Sequence, residues 1–310
     1  MQAITLSNGA KMPFLGFGTW LSKLGEAGQS VKAALDASYR HIDCAALYGN
    51  EAEIGEVFGK AFGDNEGSQK LKRSDVFITS KLWNTRHTPV DVEGALRKTL
   101  SDLQIDALDL YLIHWPVAQK KDAAGKIQID FTVPYFETWR AMEKMVDLGL
   151  TKAIGCANIN VQLLLEVLSY ARIKPAVIQI ECHPYLPQKQ LISFCHAHNV
   201  AVTGYSPLGN PALPVEGVAV KLLDHPAVTT IASSLGPEVT PAQVLLKWNM
   251  QRQVIVIPKS INPVRITENF GAASLPDLTA AQMEQLSSLE DHVHGRVVDP
   301  SALWGIGLWG

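Results

Sequence analysis

The chain has 310 residues, 47% of them hydrophobic, and its 27 basic and 30 acidic residues leave a net charge of -3. A chain of this size can bury about 75% of its unfolded surface. No run of like charge is long enough to suit nucleic acid or a membrane surface, so the expected partner is a small molecule. Cys44, Cys156, Cys182 and Cys195 form no C-x-x-C pair, no apolar run is long enough for a membrane span, and the N-terminus lacks the basic and apolar regions of a secretory signal. These features predict reduced thiols and a cytoplasmic protein. A monomer or weak oligomer is expected, although nothing in the sequence fixes the oligomeric state.

Near the N-terminus, Asn8-Gly9 in "AITLSNGAKMP" separates two short strand-like runs and predicts a hairpin that could plug one end of the fold. Eight apolar, β-branched runs follow: "FLGFGTW" (14–20), "YRHIDCA" (39–45), "DVFITSKLW" (75–83), "LDLYLIHW" (108–115), "KAIGCAN" (152–158), "AVIQIECH" (176–183), "VAVTGYSPL" (200–208) and "QVIVIPKS" (253–260). Segments with helical spacing lie between them, among them "VDVEGALRKTLSDLQ", "YFETWRAMEKMVDLG", "VQLLLEVLSYARI" and "TPAQVLLKWNMQR". Thr88-Pro89 and Thr240-Pro241 read as helix starts. Continuously apolar strands alternating with helices call for a parallel sheet covered on its outside, and eight such units suggest closure. The expected fold is α/β, a (β/α)8 TIM barrel with an N-terminal β-hairpin and a C-terminal extension, with residues 1–310 as one domain. An open doubly wound sheet is the alternative. The long break at 116–135 reads as a functional lid or wall.

In such barrels ligands bind at the C-terminal ends of the strands. Asp43 closes the second run, Lys81 the third and His114 the fourth, and Tyr48 lies five positions beyond Asp43. Each alone could be a helix cap, a solvated lysine, a satisfied core histidine or a packed ring. Four on one rim are harder to dismiss, because desolvation can cancel the Coulomb gain of a buried Lys-Asp pair unless the pair has a task. One such task is tuning a tyrosine. A cation within hydrogen-bond reach lowers a phenol pKa from ~10, and a shift of roughly 2 to 3 units corresponds to about 3 to 4 kcal/mol.

Trp20, Trp83 and Trp115 each follow a strand end and would offer apolar faces to an aldehyde or ketone with an apolar or aromatic body. After the last run, "PKSINPVRITEN" opens a helix. It sets Lys259, Ser260 and Asn262 before Arg265, with Glu268 and Asn269 on the same face one turn later. Cations with hydroxyl and amide donors there suit a phosphate.

Three segments, "SYRHIDCAALYGNEAEIG", "LQIDALDLYLIHWPV" and "VIVIPKSINPVRITENF", closely resemble the characteristic segments of the aldo-keto reductases, and the resemblance runs from "GFGTW" to "ENF". It implies a TIM barrel that binds NADP(H) without a Rossmann fold, with Asp43, Tyr48, Lys81 and His114 as the catalytic set. In that scheme hydride passes from the nicotinamide to a carbonyl carbon while Tyr48 protonates the oxygen. Lys81 and Asp43 tune Tyr48, and His114 orients the carbonyl. The resemblance also implies Lys259, Ser260, Asn262 and Arg265 on the adenosine 2'-phosphate, and Glu268 and Asn269 at the adenine. Tyr205 would stack on the nicotinamide, Asn158 and Gln179 would hold its carboxamide, and Thr19, Trp20, Asp43, Ser206 and Leu208 would lie along the cofactor. The implied substrate pocket is Trp20, Tyr48, Trp83, His114 and Trp115.

By the same resemblance, selectivity falls to residues 116–135, 209–224 and 292–310, the last of which could present Trp304 or Trp309. One departure stands out: many members read Ser-Asn-Phe where this chain has Ala157-Asn158-Ile159, which removes one nicotinamide hydrogen bond worth about 1 kcal/mol. Two other readings compete, a non-catalytic cofactor-binding subunit and a Schiff-base enzyme with Lys81 as nucleophile. "GIGLWG" (305–310) has no helix to follow it, and "CHAH" (195–198) points its side chains in different directions, so neither a dinucleotide fingerprint nor a metal site is expected.

Overall fold

A computed structural model of the chain describes residues 2–63, 71–210, 220–292 and 295–309. Each of the eight apolar runs supplies one strand: β1 (Phe17–Gly18), β2 (His41–Asp43), β3 (Phe77–Leu82), β4 (Leu110–Ile113), β5 (Ile154–Ala157), β6 (Val177–Glu181), β7 (Ala201–Tyr205) and β8 (Val254–Val256). The strands pair in parallel in chain order. The two ends of the sheet meet where Gly16 N donates to Val256 O at 2.8 Å and Val256 N donates to Phe14 O at 2.8 Å. The result is the expected (β/α)8 barrel. Every residue of β3, β4, β5 and β6 is buried, which is why these runs read as continuously apolar rather than alternating.

The connecting helices are α1 (Ala27–Asp36), α2 (Glu51–Phe62), α3 (Pro89–Leu103), α4 (Tyr135–Asp147), α5 (Val161–Tyr170), α6 (Lys189–Ala197), α7 (Pro226–Leu235) and α8 (Pro241–Gln251), and α9 (Pro263–Phe270) and α10 (Ala280–Ser287) follow β8. Thr240 caps α8 as its sequence predicts, accepting from Gln243 N while the Gln243 side chain accepts from Thr240 N. Thr88 makes no side-chain cap, and α3 starts on the preset φ of Pro89 instead. Gly55 lets α2 approach the end of α3: a Cβ there would lie 1.9 Å from the Asp102 carbonyl oxygen.

Strands Ala3–Thr5 and Lys11–Pro13 form the expected N-terminal hairpin. Asn8 Nδ2 donates to Lys152 O just ahead of β5, so the hairpin lies at the end of the barrel away from the strand C-termini. Residues 116–135 contain a second antiparallel pair, Gln119–Lys121 with Ile127–Ile129, which sequence periodicity does not reveal. Among the described residues, no helix is long and apolar enough to cross a membrane.

Candidate active site

Register places the rim groups. Asp43 pairs opposite Thr79, so Lys81, two residues further along β3, faces the same side one step nearer the C-terminal rim. A short helical turn over Ala46–Tyr48 follows β2 and ends on Gly49 in the left-handed region, φ 68°, which folds Tyr48 back over the barrel mouth.

Lys81 is fully buried and uses all three ammonium hydrogens. It donates to Asp43 Oδ1 at 2.5 Å, to the Cys44 carbonyl at 2.8 Å and to Tyr48 Oη at 3.3 Å. Burial works to lower the Lys81 pKa, but the opposing pull of Asp43 and Tyr48 leaves it raised, so the ammonium stays charged. A lysine so held is a poor Schiff-base nucleophile. Because the Tyr48 oxygen accepts from Lys81, its own hydrogen is free to point elsewhere.

The Tyr48 phenol departs from the sequence expectation. Burial pushes its pKa up to about 12, outweighing the downward pull of Lys81. Tyr48 therefore carries its proton throughout the neutral range. His114, just beyond β4, packs edge-on to Tyr48 at 5.8 Å between ring centroids and to Trp83 at 5.3 Å. Burial, with Lys81 and His87 adding to it, drops the His114 pKa well below the ordinary value, so the ring is neutral at pH 7. A neutral imidazole can donate one hydrogen bond without adding a second cation beside Lys81.

Asp43, Tyr48 and His114 form the floor of a cavity of about 1550 Å³, with Lys81 buried behind them. Trp20, Trp83 and Trp115 line it, as do all the positions singled out along the chain: Thr19, Asn158, Gln179, Tyr205, Ser206, Leu208, Lys259, Ser260, Asn262, Arg265, Glu268 and Asn269. The tail closes one side through Val298, Pro300, Leu303 and Trp304. Trp304 packs edge-on to Trp115 at 5.2 Å, while Trp309 tilts against Trp115 at 6.3 Å and lies under the Arg296 guanidinium. Residues 116–135 contribute no lining side chain: their hairpin closes on itself beside Asn84–Arg86, so the expected wall is absent. Of the segment 209–224, residues 211–219 lie outside the described part.

At the far end of the cavity, Asn262 caps α9 by accepting from Val264 N and Arg265 N. Arg265 is exposed and makes no ion pair among the described residues. Lys259 Nζ donates to Leu21 O at 2.8 Å, and burial lowers its pKa, an effect Glu26 partly offsets.

The profile of the Aldo/keto reductase family matches residues 14–291. The chain belongs to that family. It is 48% identical over 296 residues to aldo-keto reductase family 1 member A1 of Xenopus tropicalis, covering 92% of this chain and 88% of the relative. It is 47% identical over 302 residues to the Homo sapiens protein of the same name, covering 93% and 89%. Among solved structures, aldose reductase from Schistosoma japonicum superposes with a TM-score of 0.84 at 43% identity, covering 93% of this chain and 92% of that one. Aldose reductase from Giardia lamblia superposes with a TM-score of 0.86 at 40% identity, covering 96% and 98%. The chain is thus an oxidoreductase of the aldo/keto reductase family.

Several contacts of this aldo/keto reductase escape sequence reasoning. Gln179 Nε2 donates to Asp43 Oδ2 at 2.7 Å, so Asp43 is held from two sides. Asn158, at φ 58°, donates through Nδ2 to the His114 carbonyl and accepts from Tyr205 Oη at 2.7 Å, joining three strand ends. Thr19 Oγ1 donates to the Asp43 carbonyl. Spacing gave no signal for these cross-strand bonds.

Below the rim lies Glu51, 4% exposed, whose carboxylate accepts from Ser80 Oγ at 2.5 Å and Thr99 Oγ1 at 3.0 Å and has no cation bonded to it among the described residues. Burial pushes its pKa from 4.5 up to about 7. The native chain therefore binds this proton more tightly than the unfolded chain does, and stability is lost as pH rises from about 4.5 to about 7. Glu51→Gln is expected to raise stability at pH 8 by about 3 kcal/mol and to change it little at pH 4. Urea midpoints at the two pH values check this, and an equal gain at both would assign the effect to packing rather than charge.

Proposed function

We propose that the protein, as a single barrel domain, reduces aldehydes or ketones to alcohols with NADPH. The observation that carries this reading is the Tyr48 hydroxyl: its oxygen is held by a charged, buried Lys81, and its proton is free at the floor of an aromatic cavity. NADPH, when bound, supplies the hydride. Tyr48 releases its proton to the carbonyl oxygen as negative charge develops there, and Lys81 stabilises the phenolate left behind. Asp43 keeps Lys81 charged, and the neutral His114 donates to the same oxygen and fixes its direction.

The residues present fit this cofactor. The cavity exceeds the roughly 300 to 1000 Å³ of an ordinary ligand pocket, leaving room for a dinucleotide and a substrate together. It runs from Tyr48 to the start of α9, where Lys259, Ser260, Asn262 and Arg265 suit a 2'-phosphate, with Glu268 and Asn269 at the adenine. Tyr205 offers a ring face to the nicotinamide, Asn158 and Gln179 offer amides, and Thr19, Trp20, Ser206 and Leu208 line the path between. Trp20, Trp83, Trp115 and Trp304 favour carbonyl compounds with apolar or aromatic bodies.

Steady-state NADPH oxidation over a panel of aldehydes, ketones and sugars tests the activity. Tight NADPH binding without turnover of any of them would instead assign the chain a cofactor-binding role. Arg265→Ala is expected to weaken NADPH binding about tenfold or more while leaving NADH within about twofold, because only NADPH carries the 2'-phosphate proposed to meet the guanidinium. Equal losses for both, measured by fluorescence quenching, would remove the 2'-phosphate from Arg265.

A further inference from the structure

Glu181 ends β6 two residues beyond Gln179, and it is fully buried with no lysine or arginine partner among the described residues. Its carboxylate instead collects three hydrogen bonds. His183 Nε2 donates to Oε1 at 2.9 Å, Val297 N donates to Oε1 at 2.6 Å, and Val298 N donates to Oε2 at 2.9 Å. The last two donors belong to the tail, more than a hundred residues away in sequence. The tail is seated at a second point by Gly295, where a Cβ would lie 2.4 Å from Tyr185 Cβ. Tyr185 in turn donates through Oη to Val220 O at 2.8 Å and meets the His225 ring edge-on. The segment 181–185 therefore holds both the start of the tail and the chain that leads into Leu223, on two sides of the cavity.

We infer that Glu181 is a positioning residue for substrate selectivity: its carboxylate latches the tail at Val297 and Val298 and so sets where Leu303 and Trp304 stand over the substrate. The inference rests on the carbonyl-reductase reading of the site. A buried carboxylate is tolerated only when its lone pairs are filled, and the two valine N–H groups are otherwise orphaned donors. The latch is thus satisfied from both sides when the tail is docked, and when the tail lifts Glu181 gives up two of its three donors. Glu181 is not among the residues that line the cavity. Its effect should appear only with substrates large enough to reach the tail.

The test compares Glu181→Gln, whose amide NH2 would face a backbone N–H donor, with Gly295→Ala, which lifts the tail without altering the buried pair. In both variants kcat/KM for 2-naphthaldehyde should fall about tenfold relative to propanal, while NADPH affinity stays within about twofold. Hydrogen exchange over 296–304 should speed up about tenfold or more. Equal losses for both aldehydes with unchanged tail exchange would overturn the latch. If the unaltered protein turned over neither aldehyde, the proposed activity would fail, while the exchange measurement would still decide whether Glu181 holds the tail.

Discussion

Tyr48→Phe is expected to lower kcat for carbonyl reduction by roughly a thousandfold, the scale of a lost general acid, and to leave NADPH affinity within about twofold. The phenyl ring keeps the packing against His114 and the face presented to Lys81, so the substitution removes little besides the hydroxyl. No other group beside the reacting oxygen can take over the proton. His114 is neutral, Lys81 stays bound to Asp43 and the Cys44 carbonyl and does not line the cavity, and Cys44 is a buried thiol whose pKa burial pushes well up. Because burial sets the Tyr48 pKa at about 12, the acid form is fully present at pH 7. The pull of Lys81 then matters most as the proton leaves, when it meets the growing phenolate charge. Single-turnover reduction at saturating NADPH reads the chemical step directly, and turnover within tenfold of the unaltered enzyme would move the acid elsewhere.

Much of this site could be read from the sequence because barrel strands deliver side chains by register. Asp43, Lys81 and His114 stand at the ends of apolar runs, where a polar residue is conspicuous, and Tyr48 follows on a short turn. The cations of Lys259 and Arg265 at a helix start were equally plain. What stayed hidden depends on contacts between distant segments. Gln179 reaching Asp43 and Asn158 bridging His114 and Tyr205 require the closed sheet to bring β6, β5 and β7 beside β2 and β4. The hairpin within 116–135 is built from "QKK" and "IQI", too short and polar to register as strands, and its self-pairing is why it turns away from the cavity. Glu181 and His183 did leave a trace: two ionisable residues at i and i+2 in an apolar run share one face of the strand. Their partners in the tail could not be inferred from that spacing.

Lys81→Met, set beside a double variant that also changes Asp43, separates stability from chemistry. Methionine matches the length of the lysine stem and packs where it packed, but it leaves Asp43 as a buried carboxylate with Gln179 Nε2 as its remaining side-chain donor and the Cys44 carbonyl without its hydrogen bond. Breaking a buried pair from one side typically costs about 3 to 5 kcal/mol, and that loss is expected in urea unfolding. Reduction should fall by roughly a thousandfold as well, since Tyr48 loses the cation that stabilises its phenolate. The double variant Asp43→Asn/Lys81→Met removes the stranded charge, so most of the stability should return while the activity does not. Two outcomes contradict this account. If Lys81→Met alone proved as stable as the unaltered protein, Asp43 would not be a buried charge held by Lys81. If the double variant regained turnover along with stability, the pair would serve only to hold the barrel rim, and the tuning of Tyr48 would have to come from the surrounding apolar walls.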